Sequence, residues 1–279
     1  MKHHTLLAVV GALALTSEAY AERRQSALAD DVAVRRRRLL VKKRFEFAPL
    51  FESTINADFR HIIGGGAKLE YHFTDWLSIG AIGVGSTSLD TKLVDKIRPS
   101  LEMNVDNLTR EPSQNEFMDR LNTMPFHGAA YASLTPWYGK LAAFSQAYVA
   151  FDFYFQAGVA FASLKSNCPI DICSDPAPGQ SRAGEDGETI PADNNPNNDP
   201  PLNSGNRTGL YLGGGIHVFL NDFLALDMTV RDYAFTDNPS GADFNADLFV
   251  SKDDNRFVHH LFFGVGISVM LPTTVKRTP

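Results

Sequence analysis

Ser53, Asp58 and His61 fall within nine residues of one another, and His259 and His260 stand side by side near the C-terminus. These are the side-chain types that acyl-transfer chemistry uses. A serine within hydrogen-bond reach of a histidine that an acid orients can act as a nucleophile. No recognisable nucleophile motif surrounds Ser53, so no catalytic residue is assigned and a non-enzymatic chain is expected. Cys168 and Cys173 are the only cysteines, spaced C-x4-C. A local disulfide between them is expected over two free thiols, because further metal ligands are lacking nearby. Asp193, Asn195, Asn197 and Asp199 offer oxygen ligands for calcium, but without EF-hand spacing. Neither a metal nor a cofactor is therefore expected. A second set of polar residues alternates with large apolar ones: Glu46, Lys68, Glu70, Asp152, Asp227 and Arg231. Both signs are present, so these groups can neutralise one another in a confined space.

The elements that must position them have a period of two, the signature of strands with unlike faces. In Tyr148–Phe161, Phe151, Phe153, Phe155, Val159 and Phe161 share one face, and Asp152, Tyr154 and Gln156 lie on the other. The same alternation runs through Arg44–Ser53, Ile62–Phe73, Trp76–Ser86, Thr208–Leu220, Phe223–Thr236 and Phe257–Met270. In Arg44–Ser53 the polar face is Arg44, Glu46 and Glu52; in Ile62–Phe73 it is Lys68, Glu70 and His72. An eighth strand over His127–Tyr138 has an ambiguous apolar face. These segments mostly run to 9–14 residues. Tilted strands need about 9–11 residues to cross a bilayer, whereas globular strands have a mode of about 5–6.

Connection lengths separate into two sets. Thr74-Asp75, Asn221-Asp222 and Gly139–Ala147 are short or medium. Thr54–His61 and the long stretches at about 87–126, 163–207 and 237–256 make up the other set. Short turns at one end and long loops at the other are the pattern of an outer-membrane barrel. The expected fold is all-β: an eight-stranded antiparallel transmembrane β-barrel with short periplasmic turns and long extracellular loops. Its lipid-facing residues include Phe151, Phe153, Phe155, Leu224, Leu226, Phe263 and Val265. The six charged residues named above face a lumen that side chains can fill, which favours a salt-bridged plug over an ion path.

The N-terminus sets the compartment. Lys2, the apolar run Leu6–Leu15 and Ala19-Tyr20-Ala21 form a secretory signal peptide with cleavage expected after Ala21. From Glu22 to Arg44 there are nine basic and three acidic residues, and the mature remainder carries 16 basic against 28 acidic. A basic periplasmic arm (22–43) thus precedes an acidic barrel (44–271) and a short tail (272–279). In an exported chain the run Arg35–Arg38 argues for a solvated arm lying against anionic lipid or cell-wall polymer, or for a processing site, rather than for nucleic acid.

Several segments together resemble the outer-membrane β-barrel domain proteins of myxobacteria and related deltaproteobacteria. They are KKRFEFAP (Lys42–Pro49), GGGAKLEYHFTDWLSIGA (Gly64–Ala81), PWYGKLA (Pro136–Ala142), FDFYFQAGVAF (Phe151–Phe161), GGGIHVFLNDFLAL (Gly213–Leu226) and FFGVGISVMLP (Phe262–Pro272). The resemblance covers about residues 42–272. It implies a small, non-enzymatic barrel, in some members part of a trans-envelope machine such as a gliding-motility apparatus. The arginine run and the Pro272–Pro279 tail depart from the family pattern. The expected role is structural or interaction-based, with outer-membrane lipid and envelope proteins as partners, reached through the outer loops or the arm. The alternatives are a soluble periplasmic β-protein that binds a ligand, and a small enzyme whose acid–histidine pair works at the barrel rim.

Overall fold

The computed structural model describes residues 41–55, 57–101, 114–143, 147–166, 181–183, 189–191, 205–242, 244 and 254–273. The expected signal peptide, the arginine run, Cys168, Cys173 and the candidate calcium ligands lie outside the described residues. The strands are β1 (Phe45–Thr54), β2 (Arg60–His72), β3 (Leu77–Asp90), β4 (Asn122–Ala143), β5 (Ala147–Ser166), β6 (Ser181–Ala183), β7 (Thr189–Pro191), β8 (Gly205–Phe219), β9 (Leu224–Asp237) and β10 (Arg256–Leu271). Eight of them close a barrel in the order β1-β10-β9-β8-β5-β4-β3-β2, with β2 returning to β1. Every neighbour pair is antiparallel. β6 and β7 pair only with each other.

The barrel is apolar outside and charged inside. In β1, Phe45, Phe47 and Phe51 are 53, 45 and 55 % exposed, whereas Glu46 and Glu52 are at 0 %. On the same outer wall, Phe153, Phe155, Phe263 and Val265 are exposed, and Phe151, Leu224 and Leu226 are partly so. A water-soluble protein places these two classes the other way round.

One end carries the turns at 73–76 and 220–223, the 144–146 connection, the entry of the chain at Arg44 and its exit at Pro272. We call it the turn end. At the other end, which we call the loop end, β1, β3, β5 and β9 finish and β2, β4, β8 and β10 begin. The 91–121 connection is not plain loop, contrary to the sequence reading. It contains α1 (Lys92–Ile97), a 3-10 turn (Arg98–Ser100) and α2 (Gln114–Arg120). Val94, Phe117 and Leu121 are buried there against Phe59, Ile97, Leu101 and Met118. Helices of six and seven residues are too short to show a periodicity in sequence.

β4 is the strand whose faces were ambiguous, and its structure gives the reason. It is 22 residues long, not 12, and its pairing with β5 shifts register between Thr123 and Phe126 and again between Leu134 and Trp137. Pro125 and Pro136 sit in those two gaps, where a residue without an N–H does least damage to the ladder. Each irregularity reverses the inward parity. His127, Ala129, Tyr131 and Ser133 point in, then Trp137 points out and Tyr138 joins the interior.

Gly158 lies between two inward tyrosines, in register with Tyr131 on β4 and Tyr211 on β8. A Cβ there would stand 2.0 Å from the Ala130 carbonyl oxygen and 2.6 Å from Tyr131 Cα. Backbone atoms cannot move aside as a side-chain tip can. We expect Gly158→Val to destabilise the barrel by about 2 kcal/mol or more. The check is the urea midpoint in detergent, read by the loss of the fast-migrating unboiled band on a denaturing gel.

Candidate functional site: the charged lumen

The site is built by register. In every barrel strand alternate residues point inward, and eight strands leave an interior only wide enough for side chains to meet. Groups distant in sequence are thereby brought into contact.

Lys68 is the centre. Its Nζ lies 2.7 Å from Glu46 Oε1 on β1 and 2.7 Å from Asp227 Oδ2 on β9. Glu46 also accepts from Ser268 Oγ at 2.6 Å, and its Oε2 lies 3.1 Å from His72 Nε2. Asp227 Oδ1 accepts from Tyr154 and, at 3.0 Å, from Thr229. His217 Nδ1 lies 2.8 Å from Asp152, and its Nε2 lies 3.3 Å from both Lys68 Nζ and Glu46 Oε1. Glu70 accepts from Ser78 and, at 3.0 Å, from Tyr131.

A second group lies nearer the loop end. Arg231 Nη1 donates to Glu52 Oε2 at 2.9 Å, and the other oxygen of Glu52 meets His127 Nε2. His127 stacks on Phe262 at 4.7 Å and meets Tyr233 edge-on at 5.0 Å. Tyr211 donates to Gln156 Oε1 at 2.8 Å. Arg231 Nη2 reaches Thr229 Oγ1 at 3.3 Å, which joins the two groups into one network.

Apolar residues flank this polar region toward both ends. Toward the loop end lie Ile62, Val84, Met124, Leu164, Phe235 and Phe262. Toward the turn end lie Val41, Phe219, Ala225 and Met270, with Tyr138 and Ala150 against them. Val41 comes from the segment before the barrel. It is held there because the Val41 and Lys42 amides donate to Asp75 Oδ1 at 3.0 and 3.1 Å. Arg44 then ties the two chain ends and a turn together through the carbonyls of Pro272, Asp222 and Met270, each at 3.1 Å.

All six residues expected to form the lumen charge network lie inside the barrel, at 5 % exposure or less. Sequence reasoning left Glu52, His72, His127, His217, Tyr154 and Thr229 out of the network. Glu52 and His72 were legible from strand parity. His127 was hidden by the irregular strand, and His217 stands between two outward apolar residues, Ile216 and Val218. The network holds five carboxylates (Glu46, Glu52, Glu70, Asp152, Asp227) against two fixed cations, Lys68 and Arg231. Its charge is −3 with the three imidazoles neutral and zero with all three protonated.

The rim candidates divide. Ser53 Oγ and His61 Nε2 are brought to 2.9 Å, but His61 Nδ1 meets the Thr54 hydroxyl at 3.0 Å. A carboxylate in that place is what stabilises an imidazolium in serine hydrolases. The same Thr54 hydroxyl accepts the Ile62 amide at 3.1 Å, so the cluster ties β1 to β2 at the loop end. His259 is paired with Asp232 at 2.6 Å, and His260 lies 3.4 Å from Asp237, both on β9.

No protein-family profile and no curated protein matches the chain. Among solved structures it is similar to the outer membrane protein OprG of Pseudomonas aeruginosa, at 11 % identity over 82 % of this chain and 96 % of that one, with a TM-score of 0.39. It is also similar to Ail, the attachment invasion locus protein of Yersinia pestis, at 9 % identity over 82 % and 99 %, with a TM-score of 0.33. A third is AlkL, an outer membrane protein solved in lipid bilayers, at 8 % identity over 91 % and 96 %, with a TM-score of 0.29. The barrel architecture itself rests on the pairing of this chain's own strands.

Removing Lys68 strands two buried carboxylates. Breaking a buried pair by deleting one partner costs about 3–5 kcal/mol, whereas replacing the whole group by neutral residues of similar size costs far less. We expect Lys68→Met to lower the unfolding midpoint sharply. The triple change Lys68→Met, Glu46→Gln, Asp227→Asn should recover most of that loss. Equal midpoints for the single and triple variants would show that charge pairing is not what the lumen depends on.

Proposed function

We propose that this chain is an outer-membrane β-barrel of a Gram-negative bacterium with a structural or interaction role rather than a transport role. The observation that carries the reading is the inverted surface, with phenylalanines on the outer wall and ion pairs inside. An apolar belt of that kind is at home in hydrocarbon, where a closed barrel satisfies every backbone group. A soluble periplasmic binding protein would leave the same belt in water. Among the described residues no helix is long and apolar enough to cross a membrane.

The interaction role is supported by the lumen. Ion pairs across it and apolar residues at both ends favour a plug over an ion path. Recognition then belongs to the ends: the loop-end cap built on Val94, Phe117 and Leu121, and the basic arm before Val41. An end on each side of the membrane suits a connector in a trans-envelope assembly. The resemblance to the myxobacterial barrel family points the same way, toward a part of a motility-type machine.

We expect the protein in the outer-membrane fraction, with a gel mobility that shifts on boiling, and no steady conductance steps in planar bilayers. Solubility in plain buffer with no boiling shift would sink the membrane reading. For the connector role, deletion of residues 22–40 spares Val41 and Arg44 and should leave the barrel folded. The deleted chain should lose cross-links to periplasmic proteins that the full mature chain forms. An unchanged cross-linking pattern would remove the arm from the proposal.

A further inference from the structure

We propose that the turn-end part of the lumen is a binding site for a divalent transition-metal ion, held by Glu46, Glu70 and His72. One ligand atom from each lies within 4.8 Å of the others, and all three residues are buried. The placement follows from the fold. Glu46 on β1 and Glu70 on β2 are register partners, both pointing inward. His72 is two residues beyond Glu70 on the same strand and so on the same face.

Like charges directly opposite each other across a strand pair are unfavourable, and burial away from water makes them more so. Within this pair Lys68 makes its ion-pair contact with Glu46, while Glu70 feels its charge only from further away. It binds Glu46 Oε1, the oxygen that Ser268 and His217 also approach. Glu46 Oε2 points the other way, to His72 Nε2 at 3.1 Å. Glu70 receives two neutral hydroxyls, from Ser78 and Tyr131. Among the described residues no Lys, Arg or His is within salt-bridge distance of it. A cation between Glu46 Oε2, Glu70 and His72 Nε2 would supply the direct contact to Glu70 that Lys68 does not make.

A second cluster, Glu46 with His217 and Asp227, also has ligand atoms at this spacing. There the Lys68 ammonium already stands 2.7 Å from both acids. The two clusters share Glu46, one of its oxygens facing a resident ammonium and the other facing the proposed ion. One imidazole nitrogen with two carboxylate oxygens suits zinc or another borderline divalent ion. Water or a neighbouring hydroxyl would complete the coordination. An ion bound here would staple β1 to β2 at the end of the barrel where the chain enters.

The test uses the mature chain without a histidine tag, folded in detergent, stripped with a chelator and re-equilibrated with zinc. The expected result is about one zinc per barrel by metal analysis, with an X-ray absorption spectrum showing one imidazole among oxygen ligands. The Glu70→Gln/His72→Gln double variant should bind at least tenfold more weakly, with its fold verified by the unboiled gel band. Substoichiometric zinc, a spectrum without imidazole, or a folded double variant that binds like the parent would each overturn the site. The spectrum on the parent barrel decides the matter even if the double variant does not fold.

Discussion

Closure of the sheet is the constraint on which the rest of the structure depends. A strand edge in hydrocarbon would expose unpaired N–H and C=O groups, each costing several kcal/mol. β1 therefore has to find β10, across more than two hundred residues of chain. With eight strands that closure fixes a narrow interior. Inward side chains from opposite walls must then touch, and Lys68 reaches Asp227 and Glu46 from three different strands. The ion pairs follow from closure.

Buried ion pairs add little net stability, because desolvation offsets most of the Coulomb attraction. Their value here lies in register. A one-residue slip of β1 against its neighbours would turn Glu46 and Glu52 toward the outer wall and Phe45, Phe47 and Phe51 into the lumen. Each slipped state both strands a charge in an apolar setting and overfills the interior. The same holds for β9, where Asp227, Thr229 and Arg231 succeed one another along the inner face. The network thus works against wrong pairings more than for the right one. Gly158 extends the logic, since a Cβ at this position between Tyr131 and Tyr211 would press on the β4 backbone at Ala130 and Tyr131.

The fold was legible in the sequence wherever alternation was unbroken. Phe151, Phe153 and Phe155 against Asp152, Tyr154 and Gln156 leave one reading, and the strand forms with those faces. Where β4 breaks parity at Pro125 and Pro136, periodicity could give only the existence of a strand, not its length or faces. α1 and α2 escaped for a different reason, since their apolar residues face a cluster assembled from three separate segments. For the lumen, parity alone placed Glu46, Lys68, Glu70, Asp152, Asp227 and Arg231 inside. Which of them pair is a matter of register between strands far apart in sequence. Lys68 and Asp227 are 159 positions apart, and no local pattern connects them.

A barrel whose interior is filled can still transmit information between its ends, but only through the wall itself. At the turn end, Arg44 binds the carbonyls of Pro272, Asp222 and Met270, and Asp75 holds the Val41 and Lys42 amides. Any pull on the arm is thereby delivered to β1, β10 and two turns together, not to one frayed strand. At the loop end, β1 and β2 are tied through Ser53, Thr54 and His61, and Thr91 before α1 binds back to Asp58 and Phe59. The segment that leads into α1 is therefore fastened to the connection between β1 and β2, and β1 is also the strand that Arg44 leads into at the turn end. Between these fastenings β1 and β2 run as a continuous antiparallel pair. Such a pair resists extension along its length because many hydrogen bonds bear the load in shear. These two strands also contribute Glu46, Glu52, Lys68 and Glu70 to the lumen. Mechanical continuity and the charged interior thus share the same two strands.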